Sequence, residues 1–104
     1  MRFTDLPERP RADVFHIIDY YITEAGDEVA LTFIDALERA LRHLADHPES
    51  GSLRLGSSLG IKGLRVWPIK GFPHIVVYQT FKGNVAAVRI LHTARDIPAT
   101  LQEE

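Results

Sequence analysis

The run GLRVWPIKGFPHIVVYQTFKGNVAAVRILHTARD, from Gly63 to Asp96, constrains this chain more than any other part of it. Apolar and β-branched residues alternate there with other types, and two turn signals interrupt them, Lys70-Gly71-Phe72-Pro73 and Gly83-Asn84. Such spacing predicts three consecutive antiparallel strands, over Leu64–Ile69, His74–Phe81 and Val85–His92. Arg65, Trp67, Tyr78 and Arg89 fall inside these strands, and the run closes on His92, Arg95 and Asp96. A strand has little reason to hold arginine unless one face of its sheet is open. Function is therefore expected in this third of the chain.

Two helices are predicted ahead of the strands. Val14, Ile17, Ile18, Tyr21, Ile22 and Ala25 recur at helical spacing between Pro10 and Ala25. Asp13 complements the positive end of that helix, and Gly26 supplies the positive φ that stops it. A second stripe of Ala30, Phe33, Ile34, Leu37, Leu41 and Leu44 follows, with Asp27 as its N-cap and His47-Pro48 as its end. The short link forces an antiparallel helical hairpin. Glu49–Gly63, rich in Ser and Gly, reads as a long loop. An additional strand near Arg2–Leu6 would make the sheet four-stranded. The fold class is α+β, one domain over residues 1–104, with the helical hairpin on one face of a three- to four-stranded antiparallel sheet.

Composition narrows the function classes. Hydrophobic residues are 45% and charged residues 25%, ordinary globular usage, and the formal net charge is −2, which disfavours whole-surface binding of nucleic acid. There is no cysteine, so disulfide and thiolate chemistry are excluded. MRFTDLPERPR contains no signal-peptide core and no segment has membrane-spanning length, so a cytoplasmic protein without a membrane partner is expected.

Literal reading of both turns places Arg65 opposite Tyr78 and Tyr78 opposite Arg89, with Trp67, Val76 and Leu91 in the next row. The other face would hold Leu64, Val66, Ile75, Val77, Val88 and Ile90. Being wholly apolar, it is expected under the helices, leaving the Arg-Tyr-Arg row outside. That row either binds a partner or pairs with acidic side chains of its own chain. The ending Arg89-x-x-His92-x-x-Arg95-Asp96 either positions an imidazole for acid–base work or locks the tail. His43 and His47 have metal-ligand spacing, but their place in the last helical turn explains them better, so no metal and no cofactor are expected.

The order of elements, together with ADVFHIIDYY at 12–21, HPESG at 47–51, GLRVWPIKGFP at 63–73, VVYQ at 76–79 and VRILHTARD at 88–96, resembles the ParE branch of the RelE/ParE toxins. The resemblance implies the toxin of a type II toxin–antitoxin pair. Its partners would be a ParD-like antitoxin, whose C-terminal segment folds onto the toxin, and DNA gyrase, inhibited by binding and without a catalytic centre or sequence-specific nucleic-acid contact. RelE-branch relatives instead cut messenger RNA, using Arg or Lys with Tyr, Glu or His. Arg65 and Arg89 match the cationic positions of that branch. No tyrosine follows Tyr78, and Ser50–Pro73 holds no acidic residue, which leaves His92 and His74 as candidate bases. An inactive binding member is a third reading. Candidate contacts to target or antitoxin are Arg65, Trp67, Tyr78, Arg89, His92, Arg95 and Asp96. The apolar area of Ile17, Ile18, Tyr21, Phe33, Ile34 and Leu37 is the candidate antitoxin groove.

Overall fold

A computed structural model of the protein describes residues 2–94. After a 3₁₀ turn at Phe3–Asp5 come helices α1 (Glu8–Ala25) and α2 (Asp27–Asp46), then a short α3 (Arg54–Leu59), and finally strands β1 (Leu64–Pro68), β2 (His74–Phe81) and β3 (Asn84–His92). Gly26, at φ +94°, is the whole connection between α1 and α2, and the two helices pack as the expected hairpin. The strands form one antiparallel sheet in the order β1-β2-β3. Where a fourth strand was expected, Phe3–Asp5 forms the 3₁₀ turn, tied to α2 by the Phe3 N–H donating to Glu38 Oε2 at 2.9 Å.

The sheet has a cover on both faces. Val14 of α1 and Phe33, Leu37, Leu41 and Leu44 of α2 bury themselves against Val76, Tyr78 and Ile90. On the reverse face Leu55, Leu59 and Ile61 pack against Leu64, Ile75, Val77 and Leu91. The stretch read as a loop thus folds into α3 and supplies the second cover. This reverses the expected facing. Leu64, Val66, Ile75, Val77 and Val88 lie under α3, and only Ile90 of that set meets the hairpin of helices. An apolar face does not identify its cover when a second amphipathic segment competes for it.

The register differs as well. Arg65 does sit opposite Tyr78, but the two-residue turn is Lys82-Gly83, closed by Phe81 opposite Asn84. Val88 then bulges between Tyr78↔Ala87 and Val77↔Arg89. The turn moves β3 by two residues along β2 and the bulge takes one back, so Arg89 leaves the Arg65–Tyr78 row, and Ile90 rather than Leu91 joins Trp67 and Val76.

Tyr78 is fully buried among apolar side chains, and its hydroxyl explains why that is tolerated. It donates to Pro48 C=O at 2.8 Å and accepts from Gly51 N–H at 2.8 Å. Arg65 Nη1 donates to Glu49 C=O at 3.0 Å and Gly51 C=O at 2.8 Å. The 48–51 segment is thereby pinned to the sheet by two side chains. A Cβ on Gly51 would lie 2.5 Å from the Tyr78 hydroxyl.

Two substitutions test this lock. Gly51→Ala forces the phenol or the loop to move, and a loss of about 1–3 kcal/mol in urea unfolding is expected. Tyr78→Phe leaves a buried amide and carbonyl without their partner and costs a similar 1–3 kcal/mol. Unchanged unfolding midpoints in both variants would contradict the lock.

Candidate functional site

The structure divides the sequence-derived candidates between two places. Arg65, Trp67 and Tyr78 surround the 47–51 segment. There the Trp67 ring stacks on His43 at 4.7 Å between centroids and 16° between planes, and His43 Nε2 lies 3.0 Å from Ser50 Oγ. His43 and His47 are thus built into an aromatic and polar cluster. Among the described residues no three His, Asp or Glu side chains are grouped to hold a metal ion. Tyr78 is inaccessible, and the partly exposed Arg65 donates from Nη1 to loop carbonyls, so the two do not form the open row expected of them. Arg95 and Asp96 lie outside the described residues.

Arg89 and His92 belong instead to a groove between α1 and β3, with a volume of about 740 Å³. Asp13 sets its geometry. Its Oδ2 accepts from Arg89 Nε at 2.8 Å and from Ile90 N–H at 3.0 Å, and its Oδ1 accepts from Arg89 Nη2 at 2.9 Å. Fork-to-fork pairing of this kind is short and directional, and its partial burial limits screening. The residue read as a helix-dipole partner therefore clamps α1 to the outer edge of β3, one residue past the bulged segment.

Ile17, Tyr20 and Tyr21 form the α1 wall of the groove, one or two turns beyond Asp13, and His16 also lines it. Opposite stand His74 and His92, with ring centroids 5.0 Å apart and edge to face. Beyond the strand, Thr93 N–H donates to Pro73 C=O at 2.9 Å and Ala94 N–H donates to His92 Nδ1 at 3.0 Å. Tyr21 contacts the rings of Phe33, Phe72 and His74, and burial pushes its phenol up from its ordinary pKa, with neighbouring Tyr20 adding to the shift. The groove therefore offers aromatic and aliphatic walls, imidazoles and a fixed ion pair. Such a lining suits the binding of a peptide segment.

Of the expected helical groove, Ile17, Ile18, Tyr21 and Ile34 remain partly accessible. Phe33 and Leu37 do not: both are 0% exposed in the core against the sheet. A 3.6-residue stripe marks the buried face of a helix and its flanks alike, so the centre of the stripe was taken for surface. His16, Tyr20 and Asp13 were missed because they sit at the polar border of the α1 stripe. The four exposed cations Arg54, Lys62, Lys70 and Lys82 were missed too. Their signal was present: Ser50–Ala94 contains six Lys or Arg and no Asp or Glu, whereas residues 1–49 contain eleven Asp or Glu against five Lys or Arg.

A helical hairpin on an antiparallel meander, with a groove beside the first helix, defines a small α+β protein. The same fold is found in a solved structure described as the chromosomal ParDE TA system from P. aeruginosa. The TM-score is 0.69 at 18% identity, covering 84% of this chain and 90% of that one. The profile of the family described as ParE toxin of type II toxin-antitoxin system, parDE, matches residues 6–97, and the chain belongs to this family. No curated protein matches it in sequence.

The Asp13 clamp gives a direct expectation. Asp13→Ala removes the two-oxygen acceptor of a largely buried guanidinium, whose side chain is 11% exposed, and leaves the Ile90 amide without its acceptor. A loss of about 1.5–3 kcal/mol is expected, with faster amide exchange at Ile90. Exchange at Ile90 equal to that of wild type would show that the clamp does not hold β3.

Proposed function

We propose that this ParE-family toxin arrests bacterial growth in the cytoplasm by binding and inhibiting DNA gyrase, and that a ParD-like antitoxin neutralises it. The family match across residues 6–97 carries the reading. The α1–β3 groove is the proposed antitoxin site. Ile17, Tyr20 and Tyr21 provide apolar anchoring for a segment that folds as it binds, and Arg89 and His92 provide polar contacts at its floor.

Arrest by binding is favoured over RNA cleavage by the placement of the would-be catalytic groups. Cleavage through a 2′-hydroxyl requires a proton acceptor beside cations free to stabilise a phosphorane. Arg65 donates to two backbone carbonyls, Arg89 is paired with Asp13, and Tyr78 is buried. His92 is the half-exposed imidazole of the groove, and its Nδ1 accepts from Ala94 N–H. Its role in this reading is contact.

Induced expression of wild type and His92→Ala, with a DNA-damage reporter, tests the mechanism alongside purified assays on gyrase with supercoiled DNA and on ribosomes with messenger RNA. Arrest, reporter induction and gyrase inhibition are expected from both proteins, with no codon-positioned RNA cuts. Cuts that disappear in His92→Ala would replace the binding mechanism with a nuclease. For the antitoxin site, Tyr20→Ala and Ile17→Ala should each weaken antitoxin binding roughly tenfold, as removal of apolar anchors does. Undiminished affinity in both variants would move the antitoxin to another surface.

A further inference from the structure

We propose that the α3 side of the sheet, opposite the helical hairpin, is a second docking surface, and that it takes an acidic protein surface with an apolar recess. It deepens the reading above, on which it rests, by assigning the toxin's target to a face separate from the antitoxin groove.

The hairpin of β2 and β3 outruns the rest of the sheet. β1 accompanies β2 only from Pro68↔Ile75 to Leu64↔Gln79, whereas β2 and β3 stay paired out to Phe81↔Asn84. Thr80–Val85 is therefore a two-stranded arm without a third strand beside it. Along β2, alternate side chains share a face, so Phe81 follows Ile75, Val77 and Gln79 on the α3 side. The short α3 covers Ile75 and Val77 but does not extend over the arm, and Phe81 is left 68% exposed. It is the most exposed large hydrophobic side chain among the described residues. Leu53, just ahead of α3, is 42% exposed.

Cations accompany these apolar groups. Lys82 Nζ stands 5.5 Å above the Phe81 ring centroid. Lys62 precedes β1 by two residues, and Leu64 lies opposite Gln79, so the register brings Lys62 to the same end of the sheet as Phe81. Arg54 opens α3. Arg54, Lys62 and Lys82 are all exposed, and the chain from Ser50 to Ala94 offers no carboxylate to pair with them. A contiguous stretch with cations and no counter-charge is complementary to an acidic surface. The protruding phenylalanine decides which kind. A buried aromatic anchor within a charged rim is the usual form of a protein–protein hot spot, whereas a nucleic-acid face would be expected to add a basic balance that this chain, at net −2, lacks.

The turn itself has positive φ at both central residues, Lys82 and Gly83, a form that two-residue hairpins favour but that lysine does not. Lys82 has φ +52°, the left-handed region that a lysine side chain disfavours, and among the described residues it is the one non-glycine residue with positive φ. Asparagine tolerates that conformation better. Keeping lysine there has a local conformational cost, which its position beside Phe81 at a docking tip accounts for.

Lys82→Asn therefore separates folding from docking. The probe is purified gyrase, with the cognate antitoxin as a control ligand for the groove. Phe81→Ser, Lys82→Asn and the pair Arg54→Glu with Lys62→Glu should each raise the Kd for gyrase about tenfold or more. Antitoxin affinity should stay near that of wild type, and Lys82→Asn should melt at or above the wild-type temperature. Variants that bind gyrase like wild type, while wild type itself inhibits it, would overturn this surface and leave the toxin reading intact. Equal losses for gyrase and antitoxin would show a single shared surface and overturn it as well. Tight binding of supercoiled DNA alone, lost in the charge-reversed pair, would assign the face to nucleic acid instead. A wild-type chain that neither arrests growth nor binds gyrase would overturn the gyrase reading and this inference with it.

Discussion

The Tyr78 hydroxyl connects the parts of this molecule that would otherwise be independent. It sits at the centre of the sheet, beneath α2, and reaches the segment that leaves α2 by donating to Pro48 and accepting from Gly51. From that fixed segment the chain makes the Ser52↔Val66 bridge on the outer edge of β1 and proceeds into α3. Placement of α3 over Leu64, Ile75 and Val77 thus depends on a phenol buried in the opposite core. A phenylalanine would fill the same space in the core but would cost the loop two hydrogen bonds, which is why a polar group is retained at a fully buried position of the sheet.

The two edges of the sheet are handled by different means. Ser52 pairs with Val66 at β1, so backbone closes one edge at a point. At β3 a carboxylate does so: Asp13 takes the outward Ile90 amide and, through Arg89, joins α1 to the strand. The bulge at Val88 immediately precedes this clamp, in which the Arg89 side chain and the Ile90 amide both reach Asp13 on α1. Sheet irregularity and groove lie side by side here, since a bulge re-aims the side chains next to it.

Periodicity made the helices and strands legible, and β2 was read to the residue because both of its ends carry turn chemistry. The rest was lost to interactions that spacing does not encode. Gly83-Asn84 and Lys82-Gly83 are both acceptable hairpin signals, and the choice of the second moves the partners of β2 by two residues; no composition signal foretold the extra residue at Val88, which takes one of them back. α3 escaped because Arg54–Leu59 is rich in glycine and serine and is stabilised by packing rather than propensity. Gly56 is needed there, since a Cβ would lie 2.6 Å from the Leu64 carbonyl oxygen. The candidate site was half legible. Arg89 and His92 reach a groove and Arg65 pairs with Tyr78 as expected, whereas Tyr78 itself is buried, because a satisfied buried hydroxyl and an exposed one look alike in sequence.

Acidic side chains crowd the helical half of this chain and cations the sheet half, with eleven carboxylates in residues 1–49 and none from Ser50 to Ala94. A net charge of −2 conceals that polarity. Within the described residues, positive charge is therefore separated from negative along the line from helical layer to sheet, and the field of an anionic surface exerts a torque on such a distribution during approach. The molecule would arrive sheet first, before any contact has formed, and turn its helices toward a cationic partner instead. Orientation of this kind acts on the rate of encounter rather than on the bound state, and it fades as added salt shortens the reach of the field to about 10 Å at 0.1 M.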